Sequence, residues 1–167
     1  KKQQAIDAYR VKRLPMVFFD SYGRALETAL GTLWQEIFGA SRLCLLAIGG
    51  FGRDEMYPHS DLDLAIVAPE PLDEAGQEKV ACFVQTLWDM QLAPAVKVGS
   101  IAELCQSAQE DITSDTAFLE ARFICGSHIT AERILQRLSL QRDTAAFIEA
   151  KLVEMQQRHA KAQGSGA

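Results

Sequence analysis

Two spacings of apolar residues alternate along the chain, and they predict helices and strands in turn. Apolar residues at three- and four-residue steps predict an amphipathic helix from about 17 to 38 and another from about 74 to 90. Gly39 directly follows the first of these segments, at a position where a glycine commonly ends a helix. Residues 1–14 are polar and permit a helix, although their apolar positions are only weakly periodic. Residues 1–40 are therefore expected to form N-terminal helices.

Short apolar runs of strand length lie between and after these helices. The first covers about 42–48 and stops at a glycine pair, and the second covers 61–68, where acidic and apolar residues alternate before the run becomes fully apolar. A short helical turn is expected between them, near 53–57. Residues 94–99 form a third, short alternating segment. The segment from 41 to 100 is therefore predicted to be an αβ core with three strands.

The rest of the chain shows helical spacing throughout. Residues 101–167 are expected to form a helical bundle that packs on the core, with a break at Gly126. Glu120 and Arg122 are expected on one helix, where residues two apart do not face each other. The predicted fold class is α+β: a small mixed β-sheet flanked by helices, followed by a helical bundle. The predicted helices of the bundle cover about 101–109, 112–124, 128–138 and 142–162.

The composition narrows the functional class. The net charge is −5 and the pI is near 5.2, so an extended basic surface for nucleic acid is not indicated. The four cysteines are widely spaced with no CxxC pair, which favours thiols of a reducing compartment over disulfides or a zinc site. No apolar run approaches a membrane span, and no signal-like segment follows the first residues. We expect a cytoplasmic protein without nucleic-acid or membrane partners, and the missing initiator Met suggests a piece of a longer chain.

The strongest chemical signal is an acidic pair on the second predicted strand. Side chains two residues apart on a strand point to the same face, so Asp61 and Asp63 project together while Leu62 and Leu64 face the core. Two adjacent carboxylates repel each other unless a cation lies between them. Mg2+ takes such oxygen ligands and usually keeps waters and substrate phosphates in its shell. The pattern therefore predicts a Mg2+ site at this pair.

A glycine turn precedes the acidic pair. Gly49 and Gly50 follow the first strand and would let backbone N–H groups approach phosphates closely, although a tight turn alone is the alternative. Arg53 is included among the predicted nucleotide-binding residues, but it could equally face solvent or pair with Glu55. Glu55 is either a partner of the metal site or a structural residue. Together the turn and the acidic pair predict a phosphate- and metal-binding site.

The combination of the two motifs is more specific than either alone. Asp61 lies eleven residues after Gly50, and strand patterns flank both. Residues 49–64 resemble the signature of the polymerase-β-like nucleotidyltransferase superfamily, and within it they look like the version found in bacterial PII uridylyltransferases. Residues 107–126, which include a Leu-Glu-Ala-Arg segment, resemble a further part of that family. The resemblance covers about residues 40–160.

This resemblance implies a nucleotidyltransferase fold and Mg2+-dependent transfer of UMP from UTP to a tyrosine of the PII signalling protein. Gly49 and Gly50 would hold the triphosphate near the backbone, and the Ser60 hydroxyl would orient it. Asp61 and Asp63 would be the catalytic residues, because they would bind Mg2+ and align the α-phosphate for attack by the acceptor hydroxyl.

The third predicted strand departs from the family. The family places Gly-His-Ser-Val-Arg-Thr there, whereas residues 95–100 read Ala-Val-Lys-Val-Gly-Ser. Many members of the superfamily also present a third carboxylate from a later strand, but no acid lies between Asp89 and Glu103. Glu103 itself is expected to be a surface charge on a helix. Two alternative functions stay open: an adenylyltransferase-like relative of the glutamine synthetase type, and a nucleotide-binding regulatory module with little or no turnover.

Overall fold

The computed structural model describes residues 15–54, 60–142 and 144–164 of the 167-residue chain. The prediction for residues 1–14 and part of the predicted turn near 53–57 lie outside the described residues. Helices and strands of the described part follow one another as α1 Pro15–Phe38, β1 Cys44–Ala47, α2 Gly49–Gly52, β2 Leu62–Ala68, α3 Glu74–Asp89, β3 Pro94–Ser100, α4 Ile101–Glu110, α5 Ile112–Ala117, β4 Arg122–Gly126, α6 His128–Gln141 and α7 Thr144–Gly164.

The strands form one mixed sheet in the order β3-β2-β1-β4. β1 is antiparallel to both of its neighbours, whereas β2 and β3 run parallel. α3 connects the parallel pair, which needs a crossover of this length because parallel strands cannot be joined by a tight turn. The predicted α+β class, with a small mixed sheet flanked by helices, is confirmed.

Helices cover both faces of the sheet, and this explains why β2 becomes continuously apolar. Leu64 and Ile66 point to the face that packs against α1 and α3, while Ala65 and Val67 point to the face that packs against α4 and α6. Asp63 is the one residue of β2 that is not fully buried. The polar start of the strand therefore lies where the strand leaves the core.

The prediction of one continuous helix at 112–124 is wrong. α5 ends at Ala117, and β4 adds a fourth strand at the edge of the sheet, beside β1. The Asp111 side chain caps α5 by accepting hydrogen bonds from the backbone N–H groups of the second and third residues that follow it. A strand of five residues is too short to show a two-residue period. Its apolar residues were therefore assigned to the helical pattern of the flanking segments.

Gly126 ends this strand and does not separate two helices. Its φ is +97°, and a Cβ atom there would lie only 2.4 Å from the backbone oxygen of Leu43. Glu120 and Arg122 consequently do not share a helix. Glu120 precedes β4, and Arg122 is its first residue.

The remaining later helices agree with prediction. α4, α6 and α7 correspond to the helices predicted at 101–109, 128–138 and 142–162. α4 begins with a capping box, in which the Ser100 hydroxyl accepts from the Glu103 N–H and the Glu103 carboxylate accepts from the Ser100 N–H. In the described segments, no helix combines the length and the apolar character that crossing a membrane requires.

Candidate functional site

The first strand leads into a four-residue helix, α2, in which two glycines lie against other backbone or acidic groups. Gly49 has a φ of +52°, and a Cβ atom there would lie 2.9 Å from Oδ2 of Asp63. At Gly52 a Cβ atom would lie 2.5 Å from the backbone oxygen of Glu120. Glycine at these positions therefore lets the backbone of α2 lie directly against β2 at Asp63 and against the segment before β4 at Glu120.

Asp63 is held by this backbone. Its carboxylate accepts a hydrogen bond from the Gly50 N–H, and its main-chain oxygen accepts one from the Ile48 N–H at 3.1 Å. Burial raises the pKa of Asp63, and the negative charge of Asp61 raises it further, while the Gly50 N–H and the positive charge of Arg53 act in the opposite direction. The pKa rises overall chiefly because the carboxylate is partly buried, and a bound divalent cation would favour its charged form.

A cavity of about 290 Å³ opens beside Asp63. Residues of α2, β2, β3 and α5 meet there, so the cavity lies between the end of the sheet and a short helix. Among the described residues its lining is mostly apolar, with one carboxylate and one ammonium group. The lining residues are Ile48, Gly49, Asp63, Ala95, Val96, Lys97 and Ala117.

The other predicted site residues lie around this cavity but do not line it. Asp61 is exposed and lies directly before β2, which begins at Leu62, and Ser60 before it is half-buried. Arg53 is 46% exposed, and its Nε lies 3.8 Å from Oε2 of Glu120. The alternative partner Glu55 lies outside the described residues. The structure thus brings Gly49, Gly50 and the two aspartates together, with Arg53 close enough for its charge to act on Asp63.

The donor set fits a hard divalent cation that takes two carboxylates. Within the described ranges, no cluster of three or more His, Cys, Asp or Glu side chains is arranged to hold a metal. Mg2+ needs no such cluster, because waters and substrate phosphates complete its octahedral shell. Glu103 is engaged elsewhere: its carboxylate accepts from the Ser100 N–H at 2.7 Å, and this hydrogen bond lowers its pKa. Asp61 and Asp63 are therefore the residues that could hold such a divalent cation.

Sequence reasoning missed Lys97 as a site residue. It belongs to the segment that departs from the family, yet it lines the cavity together with Asp63. Its Nζ donates a hydrogen bond to Oγ of Ser114 at 3.1 Å. A signal for it exists in the sequence, because Lys97 is the only charged residue in the seven-residue third strand.

Arg122 was also missed, because it was assigned to a helix. Its guanidinium pairs with Glu27 of α1 at 2.6 Å and with Asp54 at 3.0 Å. It also donates to the backbone oxygen of Phe51 at 3.2 Å, and its Cζ lies 5.6 Å from the centre of the Phe51 ring. Arg122 therefore ties the end of α2 to α1 and to the edge strand.

Comparison with known protein families identifies the family of this chain. The family described as "Putative nucleotidyltransferase DUF294" matches residues 3–93, which is more than half of the chain and includes Gly49, Gly50, Asp61 and Asp63. The chain therefore belongs to this nucleotidyltransferase family. The resemblance carried by residues 49–64 is confirmed at the level of the family.

Several similar proteins are named bifunctional uridylyltransferase/uridylyl-removing enzyme. The one from Neisseria meningitidis is 55% identical over 168 residues, which cover 100% of this chain and 20% of that protein. The one from Chromobacterium violaceum is 37% identical over 161 residues, which cover 96% of this chain and 19% of that protein. The one from Burkholderia pseudomallei is 40% identical over 84% of this chain and 16% of its own length. The chain thus spans about a fifth of the length of the relatives it matches most fully.

A solved structure of a toxin–antitoxin with AMP-PNP aligns with 84% of this chain and 98% of its own chain. The TM-score is 0.44 and the sequence identity is 14%. Similarity at this level supports no conclusion about activity.

Proposed function

We propose that the chain carries the nucleotidyl-transfer site of a uridylyltransferase, which transfers UMP from UTP to a tyrosine of the PII signalling protein and requires Mg2+. The observation that carries this proposal is the packing of the Gly49 backbone against the Asp63 carboxylate at the edge of a cavity of about 290 Å³. Membership of a nucleotidyltransferase family supports the reaction type. The names of the relatives support UTP as the donor.

The roles follow from the positions of the residues. Asp61 and Asp63 would hold Mg2+, which when bound supplies positive charge against the phosphates. Gly49 and Gly50 have no side chains that would keep the triphosphate from the backbone of the turn, and the Gly50 N–H holds the Asp63 carboxylate in place. The Ser60 hydroxyl next to the aspartates would orient the nucleotide, and Arg53 at the exit of α2 would add positive charge.

The reaction is a single displacement at phosphorus. The tyrosine oxygen forms a bond to the α-phosphorus while the bond from that phosphorus to the oxygen bridging to the β-phosphate breaks. Pyrophosphate leaves with the electron pair, and the tyrosine proton passes to solvent. The chain forms no covalent intermediate in this scheme, so alignment of the two substrates and neutralisation of charge supply the rate acceleration.

The proposal extends to organisation and location. It assigns residues 1–40 to N-terminal helices, residues 41–100 to the nucleotidyltransferase core and residues 101–167 to a helical part packed on that core. The third part then also contributes β4 to the sheet. A cytoplasmic location without nucleic-acid partners suits an enzyme that acts on a soluble signalling protein, and the net charge of −5 is in keeping with it.

Calorimetric titration and an incorporation assay together test the proposed function. We expect UTP to bind only when a divalent cation is present, and UMP to appear on PII when UTP, Mg2+ and the intact polypeptide are combined. Tight binding of ATP with no response to UTP would contradict the uridylyl assignment and would favour the adenylyltransferase-like alternative.

One observation favours a second candidate, a nucleotide-binding regulatory module. Within the described segments the acidic pair has no third carboxylate in a metal-holding arrangement. A site with two carboxylates could retain a nucleotide without positioning it for transfer. UTP binding with no incorporation into PII by the intact polypeptide would support this candidate over the enzyme.

A further inference from the structure

Lys97 and Asp63 lie on the same side of the sheet, on neighbouring parallel strands. Asp63 is opposite Ala95 in the strand register, and Lys97 is opposite Ala65. Because side chains two residues apart on a strand point to one face, the Lys97 side chain rises from the same face as the carboxylate of Asp63. Both line the cavity beside Gly49.

A chain of hydrogen bonds through Ser114 and Asp111 orients the ammonium group of Lys97. Its Nζ donates to Oγ of Ser114 at 3.1 Å, and the Ser114 hydroxyl donates to Oδ2 of Asp111 at 2.9 Å. Ser114 is only 5% exposed, so this hydrogen-bond chain fixes the direction of the lysine side chain along the wall of the cavity. An ammonium has three N–H donors. Among the described residues, Ser114 accepts one of them and no carboxylate lies within ion-pair distance of Nζ.

The charge of Lys97 is therefore available to an anion in the cavity. Two carboxylates and one divalent cation sum to no net charge, whereas a nucleoside triphosphate brings several negative charges. A lysine ammonium is a compact point charge that commonly binds phosphate oxygens. The other described residues that line the cavity are Asp63, whose carboxylate repels phosphate, the backbone of Gly49 and apolar groups.

We propose that Lys97 binds a non-bridging oxygen of the nucleotide's triphosphate and so selects triphosphate over monophosphate nucleotides. This inference rests on the proposed function, because it assigns a ligand contact within the same cavity. The competing explanation is structural: Lys97 would serve only to tie β3 to α5 through Ser114. The two explanations differ in which ligands respond when the charge is removed.

Four variants of the intact polypeptide separate them. Lys97→Met removes the charge and keeps the length of the side chain, and Lys97→Arg restores a charge. Ser114→Ala removes the acceptor but keeps the lysine. Lys79→Met removes one positive charge from an exposed position of α3, outside the cavity. Each variant is titrated calorimetrically, with Mg2+ present, with UTP, UMP and inorganic triphosphate as separate ligands, and its Tm is recorded.

The proposal expects a selective loss of affinity. Lys97→Met should weaken UTP and inorganic triphosphate binding by about tenfold to a hundredfold, the range for losing a hydrogen bond from a charged donor, while UMP affinity changes little. Lys97→Arg should recover most of the UTP affinity, and Lys79→Met should match the wild type. Ser114→Ala should weaken UTP binding less than Lys97→Met does.

Two results would overturn it, and they can be told apart. Equal losses for UTP and UMP, with a fall in Tm shared by Lys97→Met and Ser114→Ala, would assign Lys97 a purely structural role while the proposed function stands. Failure of the wild type to bind UTP with Mg2+ would remove the proposed function and this inference together.

Discussion

The α-carbon of Gly49 lies so close to the carboxylate of Asp63 that a methyl group on it would be 2.9 Å from Oδ2. Real Cβ atoms essentially never approach an oxygen this closely, and the Gly49 φ of +52° already disfavours any side chain. The first glycine of the turn and the second aspartate of the pair are therefore a single steric unit, although fourteen positions separate them in the sequence.

Gly49→Ala should displace the Asp63 carboxylate and abolish transfer. The strained backbone alone should lower the free energy of unfolding by about 1–2 kcal/mol. Gly31→Ala is the matched control, because Gly31 lies inside α1 with no atom within 4 Å of the position that a Cβ would take, and alanine in a helix should be neutral or stabilising. Incorporation of UMP and urea unfolding of both variants measure this. An active Gly49→Ala enzyme would show that the close approach has no functional role.

Asp61→Asn and Asp63→Asn should each abolish transfer without unfolding the protein. Asn at 63 can still accept from the Gly50 N–H, while it removes the repulsion from Asp61 and the cost of burying a charge. Without metal, the Tm of both variants should therefore equal or slightly exceed that of the wild type. Calorimetric titration with Mg2+ and UTP should show lost binding. A large fall in Tm would instead indicate that the pair is structural.

Arg122→Met should loosen α2, because it removes the ion pairs to Glu27 and Asp54 and the hydrogen bond to the Phe51 oxygen. Glu27 is one-third exposed, so the expected loss of stability is about 1–2 kcal/mol, below that of a fully buried pair. Transfer should fall as well, since Phe51 belongs to the helix that holds Asp63.

Two further variants make the Arg122 prediction specific. Arg122→Lys keeps the charge but cannot reproduce the forked contacts, so it should recover only part of the loss. Arg158→Met removes an exposed partner of Glu154 on α7 and should change stability by less than about 0.5 kcal/mol. Equal effects at the two arginines would show that Arg122 has no special anchoring role.

The cysteines should differ sharply in reactivity. Cys82 is exposed, whereas Cys44 is buried, and burial, aided by the nearby Cys125, raises the pKa of Cys44 to about 12. Iodoacetamide should therefore alkylate Cys82 in the native protein at about pH 8 and leave Cys44 unmodified until the protein unfolds. Peptide mass analysis measures which cysteine is alkylated, with Cys82→Ser as the control. Rapid alkylation of Cys44 in the native protein would contradict its burial.

The same burial makes stability depend on pH in a defined direction. Above the ordinary pKa of 9.0 the unfolded Cys44 thiol loses its proton, while the folded one keeps it up to about pH 12. The unfolded state then binds fewer protons, so the free energy of unfolding should fall as the pH rises through this window. Urea unfolding on either side of pH 9.0 measures the fall, and Cys44→Ala should reduce it.

Sequence alone could predict the elements that have a clear period or a clear stop. The amphipathic spacing of α1 and α3 was visible, and the alternation at the start of β2 exposed the acidic pair. β4 could not be predicted, because a short apolar segment between two helical patterns shows no two-residue alternation. Lys97 and Arg122 were missed for a related reason: what they touch comes from strand pairing and from residues far along the chain.

The contact between Arg122 and Glu27 joins residues 95 positions apart, and Gly126 pairs with Cys44 across the sheet. During synthesis the glycine turn and the acidic strand emerge from the ribosome well before the edge strand that anchors them. The site can therefore be outlined early but made rigid only after residue 126 has been translated and has folded back beside β1. Contacts of such sequence separation slow folding. The nascent αβ core therefore exists for a time with an unpaired sheet edge. During that time a chaperone could bind the edge, or another chain could pair with it.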